Sequence, residues 1–162
     1  MAWIIGDIHG CYEEIDTLIN QIPPKDELIF LGDYVDRGPS PFLVIERILL
    51  EKHRSLYLRG NHEEMFMNWM QATNKELDEV FFVNGGGTTL ESYDIKFPLK
   101  NSVKWNQHLD FLNNLLNFHE GDNFIAVHAG IDPIPQRLWT GGYTYRRCRI
   151  GWWPGNLRLI LK

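Results

Sequence analysis

The amino-acid sequence predicts an α/β fold built on a mainly parallel sheet. Two observations support this fold class: short apolar runs alternate with segments of helical periodicity, and each apolar run ends in a polar group that contains glycine. Such alternation is typical of βαβ units, whose helices cover the faces of a parallel sheet. With 162 residues, 44% of them hydrophobic, the chain is long enough for one packed core and short for two independent domains.

The first two units each run from a strand through a polar loop into a helix. Residues 2–5 form an apolar run, GDIHG follows, and apolar residues recur at helical spacing over 15–22 until two prolines end the helix. The second strand is expected at 28–31 and leads through GDYVDRGP into a helix over 41–52. Ser40 is suited to the N-cap of that helix, and the proline after it suits the first helical position.

The later units are less regular. A third strand at 55–58 leads into RGNHEE and a helix, Asn-Gly-Gly-Gly at 84–87 indicates a tight turn, and residues 103–118 have the spacing of an inserted helix. A fourth strand at 124–127 ends in His-Ala-Gly. The segment 136–162 shows no strand–turn alternation, and we expect a divergent C-terminal tail there.

Polar side chains follow directly after all four predicted strands. In an extended chain, residues two apart point to the same side, so that Asp7 and His9 can reach one point in space. Ligand sites in parallel α/β sheets lie at the carboxyl ends of the strands, where the side chains of the other strand ends are expected to meet this pair. These other side chains are Asp33, Asn61, His62 and His128.

The donor types in this group predict a metal centre. Carboxylate, imidazole and amide donors without a thiolate favour manganese, iron or zinc over a structural Cys-rich zinc site. Asp7, His9 and Asp33 can hold one ion, and the second oxygen of Asp33 can bridge to another. Asn61 and His128 would complete that second site. Since paired ions about 3.5–4 Å apart clamp the oxygens of an in-line displacement, we expect metal-dependent phosphoester hydrolysis, with manganese as the first choice of metal.

Four motifs resemble those of a known family, the calcineurin-like metallophosphoesterases, and within it the phosphoprotein phosphatase branch. In the family's order, they are GDIHG at 6–10, GDYVDRG at 32–38, RGNHE at 59–63 and HAG at 128–130. The resemblance covers residues 1–135, the expected catalytic domain, and is greatest to the small bacterial and phage serine/threonine protein phosphatases. It implies a two-sheet sandwich flanked by helices, with an incomplete second sheet.

The metal ligands that the resemblance implies agree with those reached from the residues. The first ion takes Asp7, His9 and the bridging Asp33, and the second takes Asp33, Asn61 and His128. A metal-bridging hydroxide would be the nucleophile, so that no covalent phosphoenzyme is implied. Taken alone, an aspartate such as Asp7 is more typical of a strand end or a helix cap. Its role as a ligand is favoured only because His9, Asp33, Asn61 and His128 are also present.

The resemblance also implies roles in binding and proton transfer. The general acid that protonates the leaving oxygen falls on His62, and the acid that orients this histidine falls on Asp36. Arg37, Arg59 and Asn61 are expected to bind the phosphate. A surface ion pair is the alternative for both arginines, and for Arg59 it explains the sequence equally well.

The leading functional hypothesis is a phosphoric monoester hydrolase, namely a serine/threonine protein phosphatase that acts on phosphorylated proteins or peptides. Asp36 next to Arg37 favours it over a symmetrical dinucleoside tetraphosphatase, which shares the other motifs. An inactive remnant is the third hypothesis, because no histidine follows His128 to supply the further ligand that the family normally has. For the same reason the chain looks truncated or frameshifted.

The net charge and the cysteine content indicate which binding partners and which cellular compartment to expect. A formal net charge of −5 leaves no basic footprint of the kind that nucleic-acid-binding proteins carry. No stretch approaches the roughly 20 apolar residues that span a bilayer, and the N-terminus lacks the pattern of a secretory signal. Cys11 and Cys148 do not form a disulfide framework. We therefore expect a cytoplasmic protein that binds neither nucleic acid nor membrane.

The missing histidine generates a first testable prediction. With only Asp33, Asn61 and His128 from the protein, the second ion should bind more weakly than the first. Loss of an imidazole donor costs a few kcal/mol, and about 1.4 kcal/mol changes a dissociation constant tenfold. Calorimetric titration of the metal-free protein with manganese should therefore resolve two unequal sites. Two equally tight sites would mean that another group, such as Asn156, replaces the histidine.

Overall fold

The computed structural model describes residues 1–71, 75–96, 103–130 and 160–161. Strands and helices alternate through the first half of the chain, and helices predominate before a second group of strands. In chain order the elements are β1 (Ala2–Ile5), α1 (Tyr12–Gln21), β2 (Glu27–Phe30), α2 (Pro41–Leu49), β3 (Ser55–Tyr57), α3 (Asn61–Gln71), α4 (Lys75–Val83), α5 (Gly86–Lys96), α6 (Val103–Asn113), β4 (Phe118–Glu120), β5 (Phe124–Val127) and β6 (Ile160–Leu161).

A parallel sheet with the order β1-β2-β3 forms the centre of the fold. Ile4 of β1 pairs with Ile29 of β2, which pairs with Leu56 of β3. The central strand is almost fully enclosed, and Leu28 and Phe30 have no exposed surface. Apolar side chains of α1 and α2 pack in the same core, so each strand–loop–helix unit buries its helix beside the sheet. The α/β class predicted from the sequence is thus confirmed.

A second, small sheet is antiparallel, with the order β4-β5-β6. Its middle strand β5 has the bounds expected from the sequence, whereas β4 was not expected and begins at Phe118, the last residue of the expected helix. The helix α6 ends at Asn113 instead of reaching residue 118. β6 at residues 160–161 pairs with β5 although it belongs to the segment expected to be a divergent tail. The expectations for residues 136–159 lie outside the described residues.

The glycine-rich segment at 84–87 is a turn only in part. Gly85 has a φ of +95°, which glycine adopts without strain, but Gly86 already begins α5. A Cβ at Gly86 would lie 2.3 Å from the ring of Phe81, so this glycine allows α5 to pack closely against α4. The sequence shows a run of glycines, and the tertiary contact decides which of them belong to the helix. Among the described residues, no helix has the length and apolar character needed to cross a bilayer.

A buried polar chain joins α2, α5 and α6 away from the strand ends. Nε2–H of His108 donates to Oε1 of Glu46 at 2.8 Å, which leaves Nδ1 to accept from the hydroxyl of Tyr93 at 2.8 Å. Lys104 also forms an ion pair with Glu46. His108 is fully buried, and burial lowers its pKa. All polar atoms of the His108 ring therefore have partners, and the histidine acts as a structural bridge.

Tyr93→Phe should destabilise the fold because it leaves Nδ1 of His108 buried without a donor. We expect a loss of about 1–3 kcal/mol in the free energy of unfolding, measured by urea denaturation. The matched control is Tyr12→Phe, since the hydroxyl of the partly buried Tyr12 makes no hydrogen bond within the described residues. Equal stabilities of the two variants would contradict the bridge.

Candidate metal centre

The carboxylate of Glu63 joins the loops that follow β2 and β3. Glu63 lies in the first turn of α3, has no exposed surface, and accepts four backbone N–H groups. The donors are Asp33 at 2.8 Å, Tyr34 at 2.7 Å, Val35 at 3.3 Å and Gly60 at 2.9 Å. Burial raises the pKa of Glu63 to about 7, although the backbone donors favour the anion. A single side chain thus fixes the position of Asp33 relative to the start of α3.

Four non-glycine residues in the loops after β1 and β2 adopt left-handed backbone conformations. The φ angles are +45° for His9, +54° for Asp33, +68° for Asp36 and +66° for Arg37. Each such conformation costs about 1–3 kcal/mol and persists only where the surroundings enforce it. Here the carbonyl of Asp33 accepts the backbone N–H of His9 at 2.8 Å, which ties the loop after β1 to the loop after β2. The strain coincides with the residues expected to form the site.

Asp33 and Gly60 approach so closely that only glycine fits at position 60. A Cβ there would lie 2.1 Å from Oδ1 of Asp33 and 2.4 Å from its backbone nitrogen. The same Oδ1 accepts the backbone N–H of His62 at 3.0 Å. One oxygen of Asp33 is therefore directed towards the start of α3, and the other, Oδ2, faces the histidines of the neighbouring loops.

His9 presents a ring nitrogen with a free electron pair to this centre. Its Nδ1–H donates to the carbonyl of Val35 at 3.0 Å, which leaves Nε2 unprotonated in the neutral ring. Nε2 lies 3.6 Å from Oδ2 of Asp33 and 2.9 Å from Nη1 of Arg37. Burial lowers the pKa of His9 and favours the neutral form that a metal ion requires.

His128 is held in the same way on the other side of Asp33. Its Nδ1–H donates to the carbonyl of Leu31 at 3.0 Å, while Nε2 lies 3.0 Å from Oδ1 of Asn61 and 3.4 Å from Oδ2 of Asp33. Burial would lower the pKa of His128, but Asp33 and the negative charge of Asp7 raise it. Three acceptor atoms converge here, and such a group needs a proton or a cation among them. The donor set therefore fits a divalent ion.

Two sets of three ligand atoms, each within 4.8 Å of one another, lie around this point. One set is His9, Asp33 and His62, and the other is Asp7, Asp33 and His128. Asp33 belongs to both, as a bridging carboxylate must. The sequence paired Asp7 with His9 instead; in the structure Asp7 is exposed, with Oδ1 3.9 Å from Nδ1 of His128. The division of these ligands between two ions stays a prediction.

The two residues expected to transfer the proton lie in contact. Nδ1–H of His62 donates to Oδ2 of Asp36 at 2.7 Å, and both side chains are almost completely buried. On the other side of the ring, Nε2 lies 3.1 Å from Nη2 of Arg37, whose guanidinium also reaches His9. The rings of His9 and His62 meet edge to face with their centroids 4.6 Å apart. His62 thus directs Nε2 towards Arg37 and the ring of His9.

The two arginines expected to bind phosphate lie in different surroundings. Arg37 is exposed and lies over the imidazoles of His9 and His62, where its charge can reach an anion. Arg59 instead donates from Nη2 to the carbonyls of Leu112 and Asn113 at the end of α6, at 3.3 and 3.2 Å. These contacts cap a helix C-terminus. A role of Arg59 in phosphate binding stays a prediction that these contacts do not support.

Sequence reasoning assigned no role to two residues that support the site. Glu63 stands within the RGNHE motif, and its position in the first turn of a helix could have indicated that it binds backbone N–H groups. Thr89 donates from Oγ1 to Oδ1 of Asp36 at 2.6 Å. No local signal identifies this contact, because the two residues are 53 positions apart.

Comparison with known proteins identifies relatives of this fold and site. The chain is 28% identical over 143 residues to the asymmetrical bis(5'-nucleosyl)-tetraphosphatase PrpE of Geobacillus sp. (strain WCH70). This alignment covers 79% of this chain and 56% of that protein. The chain is also 27% identical over 136 residues to the symmetrical bis(5'-nucleosyl)-tetraphosphatase of Vibrio campbellii (strain ATCC BAA-1116). This alignment covers 82% of this chain and 46% of that protein. The chain thus spans about half the length of these relatives.

A solved structure and a family model agree with this comparison. The crystal structure of a protein provisionally called a diadenosine tetraphosphatase matches with a TM-score of 0.52 at 22% identity, over 85% of this chain and 53% of that one, which shows a shared fold. The model of the calcineurin-like phosphoesterases matches residues 2–156, beyond residue 135, where the resemblance was expected to end. The chain belongs to the calcineurin-like phosphoesterase family.

Proposed function

We propose that this chain is the catalytic part of a metal-dependent hydrolase that cleaves phosphoanhydride bonds of dinucleoside tetraphosphates. The position of Oδ2 of Asp33 between Nε2 of His9 and Nε2 of His128 carries the proposal of a hydrolytic centre. The relatives named as bis(5'-nucleosyl)-tetraphosphatases favour this substrate class. They support the alternative considered from the sequence better than the protein phosphatase that was placed first.

Bound divalent ions, with manganese as our first choice, supply activation of water and neutralisation of phosphate charge. The chain's own residues bind the substrate and transfer the proton. Nη1 and Nη2 of Arg37 lie beside the two imidazoles, where they can bind phosphate oxygens. As water adds to phosphorus and the bond to the leaving oxygen breaks, Nε2 of a protonated His62 gives its proton to that oxygen. Asp36 keeps the other ring nitrogen of His62 protonated and sets the plane of the ring.

Phosphorylated peptides stay a second candidate substrate, because Arg37 directly after Asp36 is exposed and can bind a single phosphate. The two candidates differ in what leaves: a nucleotide phosphate is a good leaving group, whereas a serine alkoxide needs proton donation more strongly. The hydrolysis rate of an enzyme that acts on phosphorylated peptides should therefore depend more strongly on His62.

The purified 162-residue chain should hydrolyse diadenosine tetraphosphate with added manganese. We expect a higher kcat/KM for this substrate than for a phosphoserine peptide or an aryl phosphate, and no turnover in excess chelator. Preference for the peptide would restore the protein phosphatase hypothesis, and no turnover of any of the three would support the inactive remnant. Full activity in chelator would contradict a metal-dependent reaction.

Replacing single ligands should separate the bridging residue from the others. Asp33→Asn should reduce hydrolysis to background, because a bridging carboxylate serves both ions. Asn61→Ala should leave a measurable rate that rises with manganese concentration, because an amide serves one ion. Asp122→Asn, in an exposed loop, is the control and should keep the full rate. Similar residual rates for the two ligand variants, measured at saturating substrate, would argue against two ions that share Asp33.

A further inference from the structure

Thr89 on α5 places its hydroxyl against Asp36, the residue that orients His62. Oγ1 of Thr89 donates to Oδ1 of Asp36 at 2.6 Å and accepts the backbone N–H of Asp36 at 2.9 Å. Neither residue has any exposed surface. The hydroxyl therefore both donates to and accepts from one residue, at a place without solvent exposure.

The carboxylate of Asp36 is held on both sides by these contacts. Oδ1 accepts from Thr89, and Oδ2 accepts from Nδ1 of His62 at 2.7 Å. With one oxygen fixed, the carboxylate cannot rotate about its Cβ–Cγ bond without breaking a buried hydrogen bond. The plane of the carboxylate, and with it the direction of the bond to His62, is set from α5.

The same part of the chain also holds the backbone of this loop. Asp36 and Arg37 are consecutive left-handed residues with φ of +68° and +66°. The N–H of Asp36 bonds to Thr89, and the N–H of Arg37 bonds to the carbonyl of Gly85 at 3.2 Å. A Cβ at Gly85 would lie 3.0 Å from the Arg37 nitrogen, so the turn before α5 packs directly against the loop. The backbone N–H groups of both strained residues thus donate to one segment of the chain, residues 85–89.

We propose that Thr89 is a positioning residue for the hydrolytic reaction, which fixes the orientation of His62 through the carboxylate of Asp36. This inference rests on the proposed function, in which Nε2 of His62 gives the proton to the leaving oxygen. With Nδ1–H bound to Asp36, the neutral ring carries its free electron pair on Nε2, next to Nη2 of Arg37 at 3.1 Å. The acidic proton of the imidazolium therefore lies on the nitrogen that faces the reacting atoms.

Three variants separate positioning from general destabilisation. Thr89→Val keeps the shape of the side chain and removes the hydroxyl, whereas Thr89→Ser keeps the hydroxyl. Ser92→Ala is the control, because Oγ of Ser92 on the same helix accepts the N–H of Phe42 at 3.1 Å in a buried place that does not touch Asp36. Both variants should lower the stability measured by thermal unfolding, Thr89→Val more than Ser92→Ala, because it also leaves a buried carboxylate oxygen without its donor.

Nitrogen-15 NMR spectra of the histidines in the metal-free protein report the tautomer of the His62 ring, and they do not depend on enzymatic activity. A His62→Asn variant assigns the signals of His62. The parent chain, Thr89→Ser and Ser92→Ala should show His62 with its proton on Nδ1 and a downfield Nδ1–H resonance. In Thr89→Val we expect loss of that resonance and mixing of the two tautomers. An unchanged His62 signal in Thr89→Val would overturn the proposal whatever the activity.

The kinetic measurement uses aryl phosphates with leaving phenols of different acidity. Thr89→Val should lower kcat by about tenfold to a hundredfold for the least acidic phenol and much less for the most acidic one, with KM nearly unchanged. Thr89→Ser should restore the rate. A loss that is uniform across the series, or equal in Ser92→Ala, would contradict positioning. If the parent chain hydrolyses nothing, the proposed function fails, and the spectra still decide whether Thr89 orients His62.

Discussion

The carboxylate of Glu63 is the constraint on which the rest of the site depends. It binds the N–H groups of three consecutive residues after β2, beginning with Asp33, and that of Gly60 before α3. These groups are buried, and backbone N–H groups that are buried without partners are costly. The two carboxylate oxygens of Glu63, in the first turn of α3, accept all four of them. The loop after β2 is therefore held in a fixed position against α3, and Asp33 faces both His9 and His128.

The scaffold also sets the chemical form of the two histidines that we propose as metal ligands. The carbonyl of Val35 binds Nδ1–H of His9, and that of Leu31 binds Nδ1–H of His128. In both rings the hydrogen bond directs Nε2 to the side of Asp33 and selects the tautomer that can bind a metal ion. His62 follows the same pattern with a carboxylate, Asp36, in place of a carbonyl. The three rings differ in their partners and therefore in the roles that we propose for them.

Elements with local signals could be predicted from the sequence. The apolar runs gave the bounds of β1 and β5, and the polar residues at the strand ends do meet around Asp33. Contacts between distant segments could not be predicted. The hydroxyl that holds Asp36 comes from Thr89, 53 positions along the chain, and the direction of Arg59 depends on where α6 ends. The role of each of these residues is decided by a partner that no spacing rule places nearby.

The central claim is that Asp33 bridges two ions, and electron paramagnetic resonance of the manganese-loaded protein tests it most directly. With both sites filled, at the manganese concentration that the calorimetric titration sets, ions about 3.5–4 Å apart with a shared carboxylate should be exchange-coupled and give the broad multiline spectrum of a manganese pair. When only the tighter site is filled, the spectrum should be that of an isolated ion. If the signal with both sites filled, after subtraction of free manganese, is only the isolated-ion hyperfine pattern at twice the intensity, the ions do not share Asp33 and the account is wrong.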